Sequence, residues 1–210
     1  MMSKALAVLE RAATKLAPGR APYFMEPHLV KALMTIETEG PIGRVKLSKT
    51  LGLGEGTMRT LIRHFENEGL IETSKAGITL TKSGKKIASS LRSRISEQID
   101  VPRSSLTVGL YNVAVLVKNA AQAVKGGLEQ RDAAIKMGAS GATTLSYSHG
   151  KLCMPMVDEE VFRDSPTVRE ALVLKFRPQE GDVIIIGSAG DRSTAQFGAL
   201  AAALETIRHR

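Results

Sequence analysis

Hydrophobic residues in the first half of the chain recur every three or four positions, which predicts a series of amphipathic helices. Pro18-Gly19 ends the first of these helices, and glycine-containing segments at 40–43 and 52–54 separate the later ones. Glycine suits such turns because it tolerates backbone angles that other residues avoid. The predicted helices span residues 3–16, 26–38, 44–51 and 55–68.

The helix at 55–68 carries two contrasting sides. Its apolar side is formed by Met58, Leu61, Ile62 and Phe65. Its opposite side and shoulders hold Thr57, Arg59, Thr60, Arg63 and Asn67. Arginine, threonine and asparagine are the side chains that contact base edges and phosphates. The polar side therefore indicates a nucleic-acid contact, with ordinary surface charge as the alternative.

Two strand-like runs follow this helix, at residues 70–73 and 78–81. The segment 74–77 between them reads as a four-residue loop with Lys75 at its tip. A further helix is predicted at 84–98, with Ser83 as its cap and with Ile87, Leu91, Ile95 and Ile99 spaced every four residues. Residues 100–105 form the expected domain linker.

The net charge of the 210-residue chain is +8, and the excess lies in its first half. Residues 1–100 hold 16 Lys and Arg against 10 Asp and Glu. No acidic residue occurs between Glu72 and Glu97, whereas six basic residues do. These six are Lys75, Lys82, Lys85, Lys86, Arg92 and Arg94. A surface that faces phosphates explains this pattern better than a merely solvated one.

Composition excludes several classes of protein. No apolar run approaches the roughly 20 residues of a membrane span, and the charged residues near the N-terminus do not fit a secretory signal. Cys153 is the only cysteine, which excludes an intrachain disulfide and a cysteine-based zinc cluster. We therefore expect a cytoplasmic protein without a metal or other cofactor.

The segments GRVKLSKTLGLGEGTMRTLIRHFENEGLI and ITLTKSGKKI resemble the winged-helix transcription regulators of archaea and bacteria. The resemblance covers roughly residues 26–96. It implies a three-helix core with a two-stranded wing, binding to double-stranded DNA as a homodimer, and a recognition helix in the major groove. The whole chain resembles an archaeal family whose C-terminal domain has no assigned function.

The expected DNA contacts fall on the predicted recognition helix, the wing and the helix after it. They are Thr57, Arg59, Thr60, Arg63, Asn67, Lys75, Lys82, Lys85 and Lys86. Winged helices also mediate protein–protein contacts and occur on some enzymes. Both uses stay open as alternatives at this stage, although the C-terminal half carries no phosphate-transfer motif and we expect no catalytic residue.

The second half alternates strand-like and helix-like runs and predicts an α+β domain, with helices packed on a mixed or antiparallel sheet. The predicted strands span 106–118, 142–147, 151–156, 172–176 and 182–186. The predicted helices span 128–137 and 193–208, with partial helix in 157–170. The expected organisation is an N-terminal helix in 1–25, a winged-helix domain in 26–99 and an effector-sensing or dimerisation domain in 106–210. The N-terminal helix either contributes to a dimer or packs on its own domain.

One junction in the second half has the composition of an anion site. It consists of Gly187, Ser188, Gly190, Asp191, Arg192, Ser193 and Thr194, between a strand and a helix. Backbone N–H groups at a helix start, together with an arginine and hydroxyls, suit a small phosphate or carboxylate effector. The alternative is a plain strand-to-helix turn, capped by Asp191 or Ser193. Neither a Walker loop nor a GxGxxG motif is present.

Three weaker candidate sites also occur in the second half. Residues 158–160 with Asp164 could hold a divalent ion, although a solvated acidic face is the stronger interpretation. His149 and Cys153 lack the partners that a metal site or a nucleophile needs. Residues 130–132, after a double glycine, could line a pocket or simply form helix surface.

Overall fold

The computed structural model describes residues 2–14, 23–156 and 161–209. The chain divides into two compact units, Met1–Arg92 and Ser93–Arg210. The predicted break at Pro18-Gly19 lies outside the described residues. The first unit comprises α1 (Met2–Ala13), α2 (Glu26–Glu39), α3 (Arg44–Leu51), α4 (Glu55–Asn67), β1 (Ile71–Ser74), β2 (Gly77–Leu80) and α5 (Lys82–Arg92).

The core of the first unit lies between α2, α3 and α4. Leu29, Leu33, Leu47, Leu61 and Phe65 are fully buried there. The antiparallel hairpin β1–β2 extends from this core as a wing. The backbone of Ile42 pairs with that of Ile78 in β2, which ties the hairpin to the segment between α2 and α3. The helix-turn-helix and wing predicted from the sequence are thus both present.

The helix α1 packs on α2, α4 and α5 of its own unit. Its apolar side, which includes Val8 and Leu9, is buried by these helices. His64 of α4 is also buried, and its Nδ1 lies 2.7 Å from the carbonyl oxygen of Ala12. Phe24 meets the His64 ring edge-on at a centroid distance of 5.4 Å. Of the two alternatives for the N-terminal helix, packing on its own domain is therefore observed.

The predicted helix at 84–98 is wrong in its second half, because α5 ends at Arg92. Ile95 instead pairs with Val117, and Ile99 begins a strand of the second unit. These two isoleucines continue the four-residue spacing without being helical, since both pair with residues of a neighbouring strand. The start also differs, because the hydroxyl of Thr81, not that of Ser83, accepts the Gly84 N–H at 3.0 Å.

The second unit contains one antiparallel sheet with α-helices on both faces. Its elements are β3 (Ile99–Asp100), β4 (Tyr111–Val117), α6 (Leu128–Lys136), β5 (Gly141–Ser148), β6 (Lys151–Cys153), α7 (Pro166–Phe176), β7 (Val183–Ala189) and α8 (Arg192–Arg208). Among the described residues the strand order is β3-β4-β7-β5-β6, and each neighbouring pair is antiparallel. The predicted α+β class is confirmed, and of the two sheet types the antiparallel one is observed.

Three predicted strands of the second unit need correction. Residues 172–176 belong to α7, where Val168 and Leu172 are buried four residues apart, as a helix requires. Pro166 starts this helix in the first-turn position that its ring favours. The strand predicted at 106–118 is limited to Tyr111–Val117, and that at 151–156 to Lys151–Cys153.

The two faces of the sheet carry different cores. On one face, α7 contributes Val168 and Leu172 to a cluster with Leu116, Ile184 and Ile186. On the other face, α6 and α8 pack on β4, β5 and β7. The helices on this second face approach the sheet closely because the residues between them are small. The buried cluster there consists of Val113, Ala134, Ala139, Ala189 and Ala195. The centre of the domain is β7, all of whose residues are buried.

Candidate nucleic-acid interface

The helix α4 presents the predicted polar residues on its outer side. Met58, Leu61 and Phe65 are buried, which fixes the rotation of the helix on the core. Arg59, Arg63 and Asn67 are consequently exposed, and Thr57 and Thr60 are half-buried at the edges. The structure thus brings together, over about three helical turns, the five residues expected to face DNA.

The polar side of α4 makes a few weak contacts of its own. Arg44 of α3 and Arg59 both approach the Oε1 atom of Glu55, at 3.2 and 4.0 Å. Such exposed ion pairs contribute little to stability, so either arginine can exchange Glu55 for a phosphate. The hydroxyl of Thr60 donates to the carbonyl oxygen of Gly56 at 3.2 Å, and its oxygen remains able to accept a further hydrogen bond.

The wing ends in a tighter turn than the sequence suggests. Ser74 and Gly77 pair with each other as strand residues, so that only Lys75 and Ala76 lie in the turn. The Ala76 N–H donates to the Ser74 hydroxyl at 3.2 Å. Gly77 has φ of 130°, and any side chain there would collide with the backbone of Ile42. Lys75 is exposed at the tip, as expected.

The helix α5 divides the remaining basic residues into two groups. Lys82, Lys85 and Lys86 are exposed on one side of its first turns. Arg92 is instead half-buried, with its Nε atom 2.8 Å from Glu37 Oε2 and its Nη2 atom 3.0 Å from the Thr38 hydroxyl. Arg92 therefore anchors α5 to α2 and does not extend the phosphate-facing surface. Arg94 lies in the second unit, where it donates to the carbonyl oxygen of Asn119 at 3.4 Å.

The predicted anion junction at 187–194 is largely structural. Gly187 and Ser188 are buried within β7. A Cβ atom at Gly187 would lie 2.6 Å from Ala199 N and closer still to Ala195 O, so that glycine is needed for α8 to approach the sheet. The Ser188 hydroxyl accepts the Val108 N–H at 3.4 Å.

The α8 end of this junction is already occupied by protein groups. Asp191 is its N-cap and accepts the Thr194 N–H at 2.9 Å and the Thr194 hydroxyl at 2.7 Å. These bonds from the Thr194 hydroxyl and then from its N–H hold the pKa of Asp191 below its ordinary value. Arg192 is paired with Asp100 at 2.7 Å, which raises the pKa of the arginine. Gly190 and Ser193 are exposed. Asp191 therefore caps α8, as the alternative interpretation of this junction expected.

Comparison with known proteins follows the division into two units. Residues 29–95 match the family described as the CggR N-terminal DNA binding domain. This segment includes α3, α4, the wing and α5. The first unit is thus similar to a DNA-binding domain of this type. Residues 108–207 match a domain of unknown function, DUF4443.

A solved structure supports the same architecture over most of the chain. A hypothetical protein from Pyrococcus horikoshii OT3 is 28% identical, with a TM-score of 0.66, over 89% of this chain and 100% of that one. None of the curated proteins compared with the chain matches it. Segments similar to a DNA-binding domain and to a domain of unknown function thus occur together in a chain that resembles an archaeal protein.

The weaker metal candidates gain no support from the described residues. Residues 158–160 lie outside them, and the described part of the chain contains no group of three or more His, Cys, Asp or Glu side chains that could hold a metal. No described helix is long and apolar enough to cross a membrane. His64, which contacts the backbone of Ala12, and Glu55, which pairs with Arg44, were not singled out from the sequence, because these partners are recognisable only in the fold.

Proposed function

We propose that the protein is a homodimeric transcription regulator in which α4 reads the major groove and the C-terminal domain senses a small ligand. The observation that carries this proposal is the exposed polar side of α4 within a segment that matches a DNA-binding domain. Arg59, Arg63 and Asn67 can reach base edges or phosphates from one side of that helix.

The wing and α5 support the same surface through charge. Lys75 at the wing tip and Lys82, Lys85 and Lys86 on α5 are all exposed. Residues 73–96 contain no acidic side chain that would repel a phosphate. Phosphate contacts supply most of the affinity of a DNA-binding protein, whereas base contacts supply its specificity. We therefore assign backbone contact to the lysines and base contact to α4.

The proposal is tested with the purified full chain and double-stranded DNA. Selection from a random DNA library gives the preferred site, and fluorescence anisotropy gives its affinity. A homodimer predicts a site with two-fold symmetric halves about one helical turn apart, and sedimentation velocity measures the mass of the free protein. Absence of DNA binding at about 50 mM salt, where phosphate contacts are strongest, would refute the proposal.

Two variants distinguish base recognition by α4 from phosphate binding by the wing. Arg63→Ala should weaken binding to the preferred site by about 1–3 kcal/mol and change non-specific binding less. Lys75→Ala should weaken both kinds of binding alike and reduce the salt slope by about one per subunit. Lys136→Ala is the matched control, since it removes an exposed lysine outside the matched DNA-binding segment. Equal effects of Arg63→Ala on all DNA sequences would contradict the assignment of α4 to base reading.

A further inference from the structure

The helix α6 begins in the second unit without a side-chain cap. Gly127 is its N-cap, with φ of 79°, and as a glycine it offers no side chain to accept a hydrogen bond from the first turn. In a helix of nine residues, the first N–H groups have no partner within the helix and create a partial positive charge. The N–H groups of Leu128 and Glu129 have no protein acceptor among the described residues.

Two buried polar side chains lie under this first turn. Thr144 of β5 is 4% exposed, and its Oγ1 atom lies 3.4 Å from the position that a Cβ atom on Gly127 would occupy. Gln130 is 0% exposed and is the third residue of α6. The side chain of a helical residue leans toward the helix N-terminus, a direction that would bring the amide of Gln130 to the same turn.

Neither side chain is satisfied by the described residues. In the part of the chain that the structure describes, Thr144 Oγ1 and both Oε1 and Nε2 of Gln130 have no hydrogen-bond partner. Buried polar atoms nearly always have one, and an amide with neither end bonded destabilises a fold. A methionine or leucine would fill the place of Gln130 without that penalty. A glutamine at this position is therefore explained better by a ligand than by packing.

We propose that the first turn of α6, with Gln130 and Thr144, binds the carboxylate of a small organic acid that also carries a hydroxyl group. The N–H groups of Leu128 and Glu129 and the Gln130 Nε2 donate to the carboxylate. The ligand hydroxyl donates to Gln130 Oε1, an acceptor that a carboxylate alone cannot satisfy. Thr144 donates to the ligand or accepts from it. This site deepens the ligand-sensing role proposed above and moves it away from residues 187–194.

The local charges favour a carboxylate over a phosphate. A buried phosphate dianion needs a paired cation, because isolated buried charge is strongly disfavoured. The basic side chains nearest in sequence are Lys125 and Arg131, which are both exposed, and Arg131 pairs with Asp132 at 3.0 Å. The partial charge of a helix end, with three or four donors, is better matched by a single negative charge.

The site is tested by calorimetry on the full chain without DNA, with glycolate as the probe. Glycolate carries both the carboxylate and the hydroxyl, acetate carries only the carboxylate, and ethylene glycol carries only hydroxyls. We expect saturable binding of glycolate, binding of acetate weaker by about tenfold for one lost hydrogen bond, and no binding of ethylene glycol. Absence of saturable glycolate binding, or equal binding of ethylene glycol, would overturn the proposal.

Two nearly isosteric variants then locate the binding. Gln130→Met and Thr144→Val should each reduce glycolate affinity by about tenfold or more, since each removes a bond to a charged or polar group. Gln122→Met and Thr167→Val make the same chemical changes at exposed positions and should bind as the unmodified protein does. Unchanged affinity in Gln130→Met would show that glycolate binds elsewhere and would sink the site.

Thermal unfolding without ligand separates this site from a bridging buried water. If Gln130 is kept for a ligand, Gln130→Met melts at the same temperature or higher. If a permanent water satisfies Gln130, the variant melts lower and glycolate stabilises neither protein, which refutes the proposal. Failure of glycolate binding with intact DNA binding rejects only this site. Loss of DNA binding with intact glycolate binding rejects only the regulator function.

Discussion

The contact between β7 and α8 makes Gly187 the residue whose substitution should be most informative for the second unit. Gly187→Ala adds one methyl group where the backbone of α8 lies directly above the strand. The added Cβ would meet Ala195 O and would lie 2.6 Å from Ala199 N. Both neighbours are backbone atoms of a helix, so that no side chain can rotate away to make room.

The size of the effect follows from this distance. A relaxed contact between heavy atoms is about 3.5 Å, so α8 must move away from β7 by roughly 1 Å. Overpacking of a core costs about 1–3 kcal/mol or more, and the lower flexibility of alanine in the unfolded chain offsets about 0.4–1 kcal/mol. We therefore expect a net loss of about 2 kcal/mol or more, which lowers the melting temperature of this unit by roughly 8 °C.

Gly190→Ala provides the control, because a Cβ atom at Gly190 meets nothing within 4 Å. Urea unfolding followed by circular dichroism gives the loss of stability, and hydrogen exchange locates it. Gly187→Ala should accelerate exchange in β7 and α8 and leave the first unit unchanged. If the two variants unfold at the same urea concentration, the close approach of α8 to the sheet is not what requires a glycine at 187, and the reasoning is wrong.

Three further outcomes are expected. Asp191→Ala should lower the free energy of unfolding at pH 7 by about 1 kcal/mol, because it removes the cap of α8. The pKa of Asp191 is depressed in the folded protein, so its contribution to stability is complete above the unfolded pKa of about 3.9 and disappears as the pH falls through the folded pKa. The melting curves of Asp191→Ala and of the unmodified protein should therefore converge in acid. Arg92→Ala should destabilise the first unit by about 1–2 kcal/mol. Adding Glu37→Gln to that variant should cause little further loss of stability, because the partner of Glu37 is already gone. Additive losses of stability in this double-mutant cycle would contradict the ion pair. DNA affinity should fall with salt on a log–log plot with a slope of about −0.9 per phosphate contact, and a flat plot measured by anisotropy would exclude the basic surface.

The elements predicted well are those whose signal is local. The boundaries of α3 and α4 agree with the sequence analysis to within one residue, because glycines at 43, 52 and 54 bracket a clear helical period. The exposed stripe on α4 follows from the same period. Its five polar residues could be placed on one side because each position depends only on the rotation of a single helix.

The elements predicted poorly depend on partners that are distant in sequence. Ile99 is a strand residue because it pairs with Ala114, and the residues that flank Ile99 in the sequence do not indicate that pairing. Arg192 looked available for an anion, yet its partner Asp100 is 92 positions away. The apolar run at 172–176 obscured the four-residue spacing of Val168 and Leu172, which belongs to a helix. Unpartnered atoms, such as those of Gln130, are visible only in the folded domain.

The strand order of the second unit has a consequence for how the protein is made. The strand β7 lies between β4 and β5, although it follows both in the chain. While residues 183–189 are still inside the ribosome, β4 and β5 have no central strand to join them, and their apolar faces remain uncovered. The first unit can complete its own core by then. A nascent chain interrupted before β7 would thus carry a finished first unit followed by a C-terminal domain with exposed strand edges, the kind of segment that aggregates and that chaperones and proteases recognise.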